Sequence, residues 1–230
     1  MKVLYAIPVF LDYRLPFYKK LNELFGGDFH VIYSPKRYAR LNKTDLAKHI
    51  KQEMGDNAHP FDGDYSVNTH MLLAKEYSRE HGKNIPFTFG LLRKVRSIRP
   101  EIVISEGFFQ WTPLMIVYCT LFRIPLYIGY ERTPHTERNN SWLKTLHRKM
   151  SDWFITGYLV NGSETSRYLK SIGVKVSKIH VGGMCADSKG LVEGVQSMSE
   201  EEKELFKSRH KQGDGLVYLF VGQIVVRKGA

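Results

Sequence analysis

Apolar runs alternate with amphipathic stretches along most of the chain. Residues 2–8 (KVLYAIP) form a short β-rich run closed by proline. Residues 15–25 carry Leu15, Tyr18, Leu21, Leu24 and Phe25 near helical spacing and end at Gly26-Gly27, where a helix stops. Residues 29–33 read as a second strand, 101–105 (EIVIS) after Arg99-Pro100 as a third, and 125–130 (PLYIGY) as a fourth; 153–160 and 178–181 complete the series. Helix-like segments over 87–98, 110–122, 141–150 and 163–171 lie between them. Near-continuous apolar strands alternating with helices predict an α/β fold built on a parallel sheet covered on both faces.

The remaining stretches are less regular. Residues 44–54 predict a helix capped by Thr44, and 71–81 another, while Gly, Asp, Asn and Pro crowd 55–65 (GDNAHPFDGDY) into a loop. Past Asp187 the chain turns polar and acidic through Ser199-Glu200-Glu201-Glu202, and a helix follows to about His210. Gly213-Asp214-Gly215 is a turn and 216–221 (LVYLFV) a buried-type strand, followed by a glycine and a basic loop to Ala230. That is half a βα unit. Residues 1–187 are therefore expected to form one domain, and 188–230 a linker with the first strand of a second.

With 43% hydrophobic and 25% charged residues, the 230-residue chain is neither disordered nor of low complexity. Its 34 Lys and Arg against 23 Asp and Glu leave a formal net charge of +11. Such a balance suits a phosphorylated ligand, an anionic lipid surface or nucleic acid, or else a solvated basic surface. Nucleic acid is the weakest of these, because no RNA-binding aromatic signature, helix-turn-helix pattern or Cys/His finger accompanies the charge. The longest uncharged apolar run, 107–122, is shorter than the roughly 20 residues that span a bilayer. The N-terminus lacks a small-residue cleavage site and reads as a strand. Cys119 and Cys185 form no C-x-x-C, so no disulfide framework or zinc knuckle is implied, and a reducing, cytoplasmic setting fits. Residues 141–154 place Trp142, Leu146, Met150 and Trp153 on one stripe, with Lys144, Arg148 and Lys149 away from it. Such a helix packs its stripe on the core or lies at the inner face of an anionic membrane.

In open parallel sheets the loops at the carboxyl ends of the strands line the ligand crevice. The loop from Tyr130 to Arg138 follows a strand and packs a Glu, a His and two Arg together (Glu131, Arg132, His135 and Arg138): a base, an orienting carboxylate and anion clamps, or else a charged loop that neutralises itself. Ser105-Glu106-Gly107-Phe108 ends the neighbouring strand and would face the same crevice, with Gly107 either admitting a ligand closely or making a strand-to-helix turn. Tyr13 and Arg14 open the first helix at the same end of the sheet. Gly222, Gln223, Arg227 and Lys228, after the last strand, can offer amides and cations to phosphate or simply solvate a loop. No Walker loop or G-x-G-x-x-G occurs. Asp62-Gly63-Asp64 sits in a turn-rich loop and reads as a turn, and the nine His show no metal-binding spacing.

Together these pieces resemble the group-1 family of retaining, nucleotide-sugar-dependent glycosyltransferases. The residues that carry the likeness are Arg14-Leu15-Pro16-Phe17-Tyr18, then Val160-Asn161-Gly162-Ser163 with Tyr168-Leu169 and Ile172-Gly173-Val174, and most specifically Gly222-Gln223 through Lys228-Gly229, which is similar to the family's G-[RQ]-(four residues)-K-G loop. The resemblance implies a GT-B fold, in which two Rossmann-like domains face each other, the N-terminal one holding the acceptor and the C-terminal one the nucleotide sugar. It implies that Gly222, Gln223, Arg227 and Lys228 bind the donor diphosphate, Lys228 matching the family's lysine and Gln223 replacing its frequent arginine. Arg14, Tyr13, Glu106, Gly107 and Arg132 would hold a lipid-linked or polysaccharide acceptor. His135 falls where members carry a cleft histidine, with Glu131 as its partner, and no metal or other cofactor is implied. The family's usual Gly-Gly turn is replaced by Phe10-Leu11-Asp12-Tyr13. Since the donor pocket would lie almost wholly past Ala230, the isolated chain is expected to bind nucleotide sugars very weakly and transfer nothing.

Overall fold

The structure, a computed structural model, describes residues 1–35, 46–68, 84–108, 110–138, 140–182 and 188–209. The chain divides into two compact units, Met1–Met184 and Cys185–Ala230.

The first unit is built on seven parallel strands. They are β1 (Val3–Ala6), β2 (Phe29–Tyr33), β3 (Ala58–Pro60), β6 (Ile102–Glu106), β7 (Leu126–Tyr130), β8 (Gly157–Val160) and β9 (Ile179–Val181), in the order β3-β2-β1-β6-β7-β8-β9. Val3 lies opposite Phe29 on one side and Ile102 on the other, and every neighbouring pair is parallel. This is the Rossmann-like α/β fold that the apolar pattern predicts. The chain first steps outward from β1 to β3, then returns to the far side of β1 and steps outward again from β6. The reversal between β1 and β6 is a topological switch point, and the loops leaving those two strands diverge to open a crevice.

Helices α1 (Leu15–Leu24) and α2 (Leu46–Met54) pack on one face of β1 and β2, where Tyr5, Phe29 and Val31 meet Leu15, Tyr18 and Ile50. On the other face Leu4, Val103, Ile128 and Tyr158 form a second core with residues of α3 (Leu91–Ile98), α4 (Thr112–Phe122) and α6 (Ser163–Ser171). Strands β1 and β2 are buried on both faces. In β6 and β7 burial alternates, so that Ile102, Ile104, Tyr127 and Gly129 are only half-covered on the α1 side. That half-open face becomes the floor of the cavity described below.

Four segments differ from the sequence reading, each for a physical reason. Residues 58–60, read as loop, form an edge strand on β2, where Pro60 is tolerated because its missing N–H costs no ladder bond. Residues 87 and 88, read as the start of a helix, belong to β5 (Asn84–Thr88), which pairs antiparallel with β4 (Asp64–Asn68), and α3 begins only after Gly90, whose φ is +81°. The strand expected from 153 begins at Gly157, leaving Trp153 and Phe154 on the surface. Residues 188–196, read as linker, form helix α7 (Ser188–Gln196).

In the second unit α7 is followed by α8 (Glu200–Arg209), opened by a reciprocal cap: the Glu202 amide donates to Ser199 Oγ at 3.1 Å, and the Ser199 amide to Glu202 Oε2 at 2.8 Å. The expected helix over 71–81, the strand over 216–221 and the loop carrying Gly222, Gln223, Arg227 and Lys228 lie outside the described residues. Among the described residues no helix is long and apolar enough to cross a membrane.

Candidate functional site

The loops that leave β1, β6 and β7 at their carboxyl ends bring together three residues far apart in sequence. A short 3-10 turn over Asp12–Arg14, followed by Pro16 in the first turn of α1, aims Arg14 back over the sheet. Its Nη1 donates to Glu106 Oε1 at 2.7 Å, from the last position of β6, and its Nη2 donates to Glu131 Oε1, just past β7. The Arg14 side chain is 5% exposed, Glu106 13% and Glu131 42%, so the cluster is rooted in the domain and opens to solvent through Glu131. The guanidinium faces two carboxylates rather than an outside anion.

Burial pushes the Glu106 carboxyl above its usual range, and Glu131 adds to this while Arg14 opposes it. Burial works to lower the pKa of Arg14, but Glu106, Tyr18 and Tyr5 together outweigh it and hold the cation fully charged. Tyr5 and Tyr18, both deep beneath the cluster, keep their protons well past the ordinary range, chiefly through burial. Tyr13 is half-exposed, and Arg14 lies 5.9 Å from its ring centroid.

Beside this cluster runs a cavity of about 260 Å³ between α1 and the half-open face of the sheet. Phe17, Leu21 and Phe25 form one wall, Tyr5, Ile104 and Leu159 the floor, and Arg14, Glu131 and Asn161 the polar rim. A Cβ at Gly129 would stand 3.0 Å from Tyr5 Oη, so a larger residue in that floor would push the Tyr5 hydroxyl aside. The cavity is almost wholly apolar below a charged rim.

The other expected residues fall differently. Gly107 adopts φ +58°, a left-handed turn that favours glycine. Its N–H donates to the Gly129 carbonyl at 2.8 Å, and its carbonyl accepts from Thr112 Oγ1 at 2.7 Å. It therefore makes a strand-to-helix turn, and its amide is already used. His135 and Glu131 are not paired. His135 is exposed, and its Nε2 accepts from Arg138 Nη1 at 2.7 Å. Arg132 is 40% exposed and lies 3.7 Å from Glu137.

Sequence reasoning missed a second buried network. Glu137, 5% exposed, accepts from Arg148 Nη1 at 2.7 Å and from Asn140 Nδ2, and Arg148 also donates to Tyr168 Oη. The Arg148 guanidinium sits 5.7 Å from the ring centroids of both Phe108 and Tyr168. This network pins the loop after β7 to helix α5 (Trp142–Asp152) and to α6. Arg148, expected among lipid-facing cations, is a structural residue. Its place on the helix flank opposite the apolar stripe was the only signal in the sequence. Among the described residues no cluster of three or more His, Cys, Asp or Glu could hold a metal ion.

The chain matches no protein family and no curated protein by sequence. Its fold is shared with solved structures of nucleotide-sugar proteins. HepE from Anabaena, in complex with UDP and glucose, is 10% identical with a TM-score of 0.59 over 91% of this chain and 50% of its own. UDP-GlcNAc 2-epimerase from Neisseria meningitidis, bound to UDP-GlcNAc, is 12% identical with a TM-score of 0.57 over 92% of this chain and 54% of its own. A glycosyltransferase from Rickettsia africae is 10% identical with a TM-score of 0.53 over 94% of this chain and 50% of its own. At such identities the likeness is one of fold, and the chain spans about half the length of each of these neighbours.

Proposed function

We propose that this chain is the acceptor-side portion of an enzyme that transfers a sugar from a nucleotide sugar to a lipid-linked glycan acceptor. The observation that carries the reading is the Arg14–Glu106–Glu131 cluster at the switch point of the sheet, set on the rim of an apolar cavity. At about 260 Å³ the cavity is below the roughly 300–1,000 Å³ of sites that enclose a whole small molecule. It suits one part of a larger ligand. An acceptor with a sugar hydroxyl at Glu131 and its lipid-proximal portion along Phe17, Leu21 and Phe25 matches the rim and the floor at once.

In this reading Glu131 receives the acceptor hydroxyl, Arg14 and Glu106 hold Glu131 in place, and Arg132 and the His135–Arg138 pair flank the entry. The donor diphosphate is held by Gly222, Gln223, Arg227 and Lys228, with no metal ion. The acceptor oxygen bonds to the anomeric carbon as the bond to the diphosphate breaks. With retention both events occupy one face of the sugar ring, and the hydroxyl proton passes to the departing phosphate oxygen. The enzyme's share is positioning and neutralisation of charge. The acceptor's lipid anchor places the site next to the inner face of a membrane.

A second reading, epimerisation of the nucleotide sugar itself, is favoured by the UDP-GlcNAc 2-epimerase among the fold neighbours. Product analysis separates the two. The protein carrying this chain, given isotopically labelled nucleotide sugars with and without a lipid-linked glycan extract, should move label into the lipid fraction only when the extract is present. An altered nucleotide sugar formed without acceptor would establish epimerisation instead. Label confined to unchanged donor in both reactions would refute both readings.

A further inference from the structure

Helix α5 is built inside out. A surface helix ordinarily turns its apolar stripe to the core and its charges to water. In α5 the residues held by the domain are polar. Arg148 is locked to Glu137 and Tyr168, Ser151 is buried, and Asp152 accepts from Lys178 Nζ through Oδ1 at 3.2 Å and through its carbonyl at 2.6 Å. The apolar arc of the helix and of the turn after it faces outward: Trp142 is 71% exposed, Trp153 78% and Met150 52%, with Leu143, Leu146 and Phe154 also exposed. At 100° per residue these six side chains share an arc of about 120°. The two tryptophans alone present about 300 Å². With the other four, the patch exceeds the roughly 300–600 Å² typical of the largest apolar patch on a monomer. The helix cannot roll to hide it, because the Arg148–Glu137 and Lys178–Asp152 pairs hold its polar flank.

Charge selects what covers this patch. Lys144 and Lys149 are exposed on the same helix, outside the apolar arc, and the chain carries a formal +11. Tryptophans stand at both ends of the stripe, and an indole, apolar with one polar N–H, favours the boundary between headgroups and acyl chains. We infer that α5 and the Trp153–Phe154 turn dock this domain on an anionic bilayer, lying in the interface with the six apolar side chains inserted and Lys149, at the edge of the arc, on the headgroup phosphates. The inference does not depend on the proposed reaction, since docking needs neither donor nor acceptor.

Partitioning onto vesicles tests it directly. The chain should co-sediment with phosphatidylcholine vesicles containing about a third phosphatidylglycerol, and at least tenfold less with phosphatidylcholine alone. Two of the three tryptophans lie on the stripe and the third, Trp111, is fully buried, so vesicle binding should shift indole emission to the blue. The double variant W142A/W153A should lose at least tenfold in partitioning with unchanged circular dichroism. K149E should weaken the preference for anionic lipid and keep the same fold. Wild-type partitioning by W142A/W153A would overturn the proposal, as would no vesicle binding by the wild-type chain. A concentration-dependent dimer in sedimentation velocity, abolished by W142A/W153A, would assign the patch to a second copy and also overturn it.

Discussion

Replacing Arg14 by methionine removes the cation between two carboxylates while roughly preserving the apolar stem. The consequence follows from where the partners sit. Glu106 is 13% exposed and cannot turn to bulk water, so the variant strands a buried carboxylate whose pKa burial has already raised. Breaking such a pair costs about 3–5 kcal/mol. A domain holds roughly 5–15 kcal/mol in all, so R14M should lose about a fifth or more of its stability. The cost should depend on pH in a fixed direction. A carboxyl whose folded-state pKa is raised binds its proton more tightly when folded, so protonation favours the native state. As pH falls toward the raised pKa, Glu106 takes up a proton and the penalty shrinks, by about 1.4 kcal/mol per unit of pH over the window between the unfolded and folded values. Urea unfolding followed by circular dichroism, at about pH 7.5 and about pH 5.5, reads this difference. R14M should be far less stable than wild type at the higher pH and closer to it at the lower, and R14M/E106Q should recover most of the loss at both. A loss under about 1 kcal/mol, or one independent of pH with no rescue by E106Q, would refute this picture of the cluster.

Three further outcomes follow from the buried groups. His30 Nδ1 and His59 Nε2 stand 2.9 Å apart, and both pKa values are lowered, that of His59 to about 4, by burial and then by His30 and Lys94. The unfolded chain then binds more protons than the folded one below about pH 6.5, so the stability that neutral His59 contributes is lost as pH falls from there through about 4; H59L should flatten the dependence of Tm on pH in that range, and an unchanged slope would contradict the assignment. Removing Arg148 leaves Glu137, at 5% exposure, with Asn140 and the more distant Arg132 as its remaining partners, so R148M should lower stability by about 3 kcal/mol and expose the loop after β7 to protease, whereas E137Q/R148M should recover part of both. Burial pushes the Cys119 thiol up to about 12, so peptide mapping after maleimide treatment at about pH 8 should find Cys119 unmodified in the folded protein and labelled in urea; labelling at the rate of a free thiol would show that α4 is loosely packed.

Much of the scaffold was legible because its signal is periodic and local. The apolar runs at 29–33, 101–105 and 125–130 sit within a residue of β2, β6 and β7, and Gly26-Gly27 ends α1 where the pattern says it should. What escaped depends on pairing partners that local patterns do not encode. Ala58-His59-Pro60 has no strand character of its own and is made a strand by its neighbour β2. Residues 87 and 88 follow β4 rather than α3 for the same reason. Of the candidate site, Arg14, Glu106 and Glu131 could be named from their places after strands, since strand ends converge in a parallel sheet. That Arg14 would bind both carboxylates depends on side-chain reach across three strands, which sequence spacing does not supply. The stripe on α5 was visible, but its direction was not. The buried Arg148–Glu137 pair, with Ser151 and the Asp152–Lys178 contacts, shows which flank of the helix faces the domain and turns the stripe outward.

The functional reading stands or falls on Glu131, which is taken to receive the acceptor on the rim between the apolar cavity and solvent. The decisive assay is steady-state transfer by the protein carrying this chain, with wild type and E131Q compared at varied acceptor and saturating donor. E131Q removes one charge from a side chain that is 42% exposed, so the fold should stand. The amide oxygen it introduces can still accept from Arg14, which keeps the geometry of the cluster. The kcat/KM for the acceptor should fall by about a hundredfold, the scale of a misplaced or unactivated reacting group, with the KM for the nucleotide sugar unchanged. Transfer by E131Q at the wild-type rate, or a loss confined to the KM of the nucleotide sugar, would contradict the assignment of Glu131 to the acceptor.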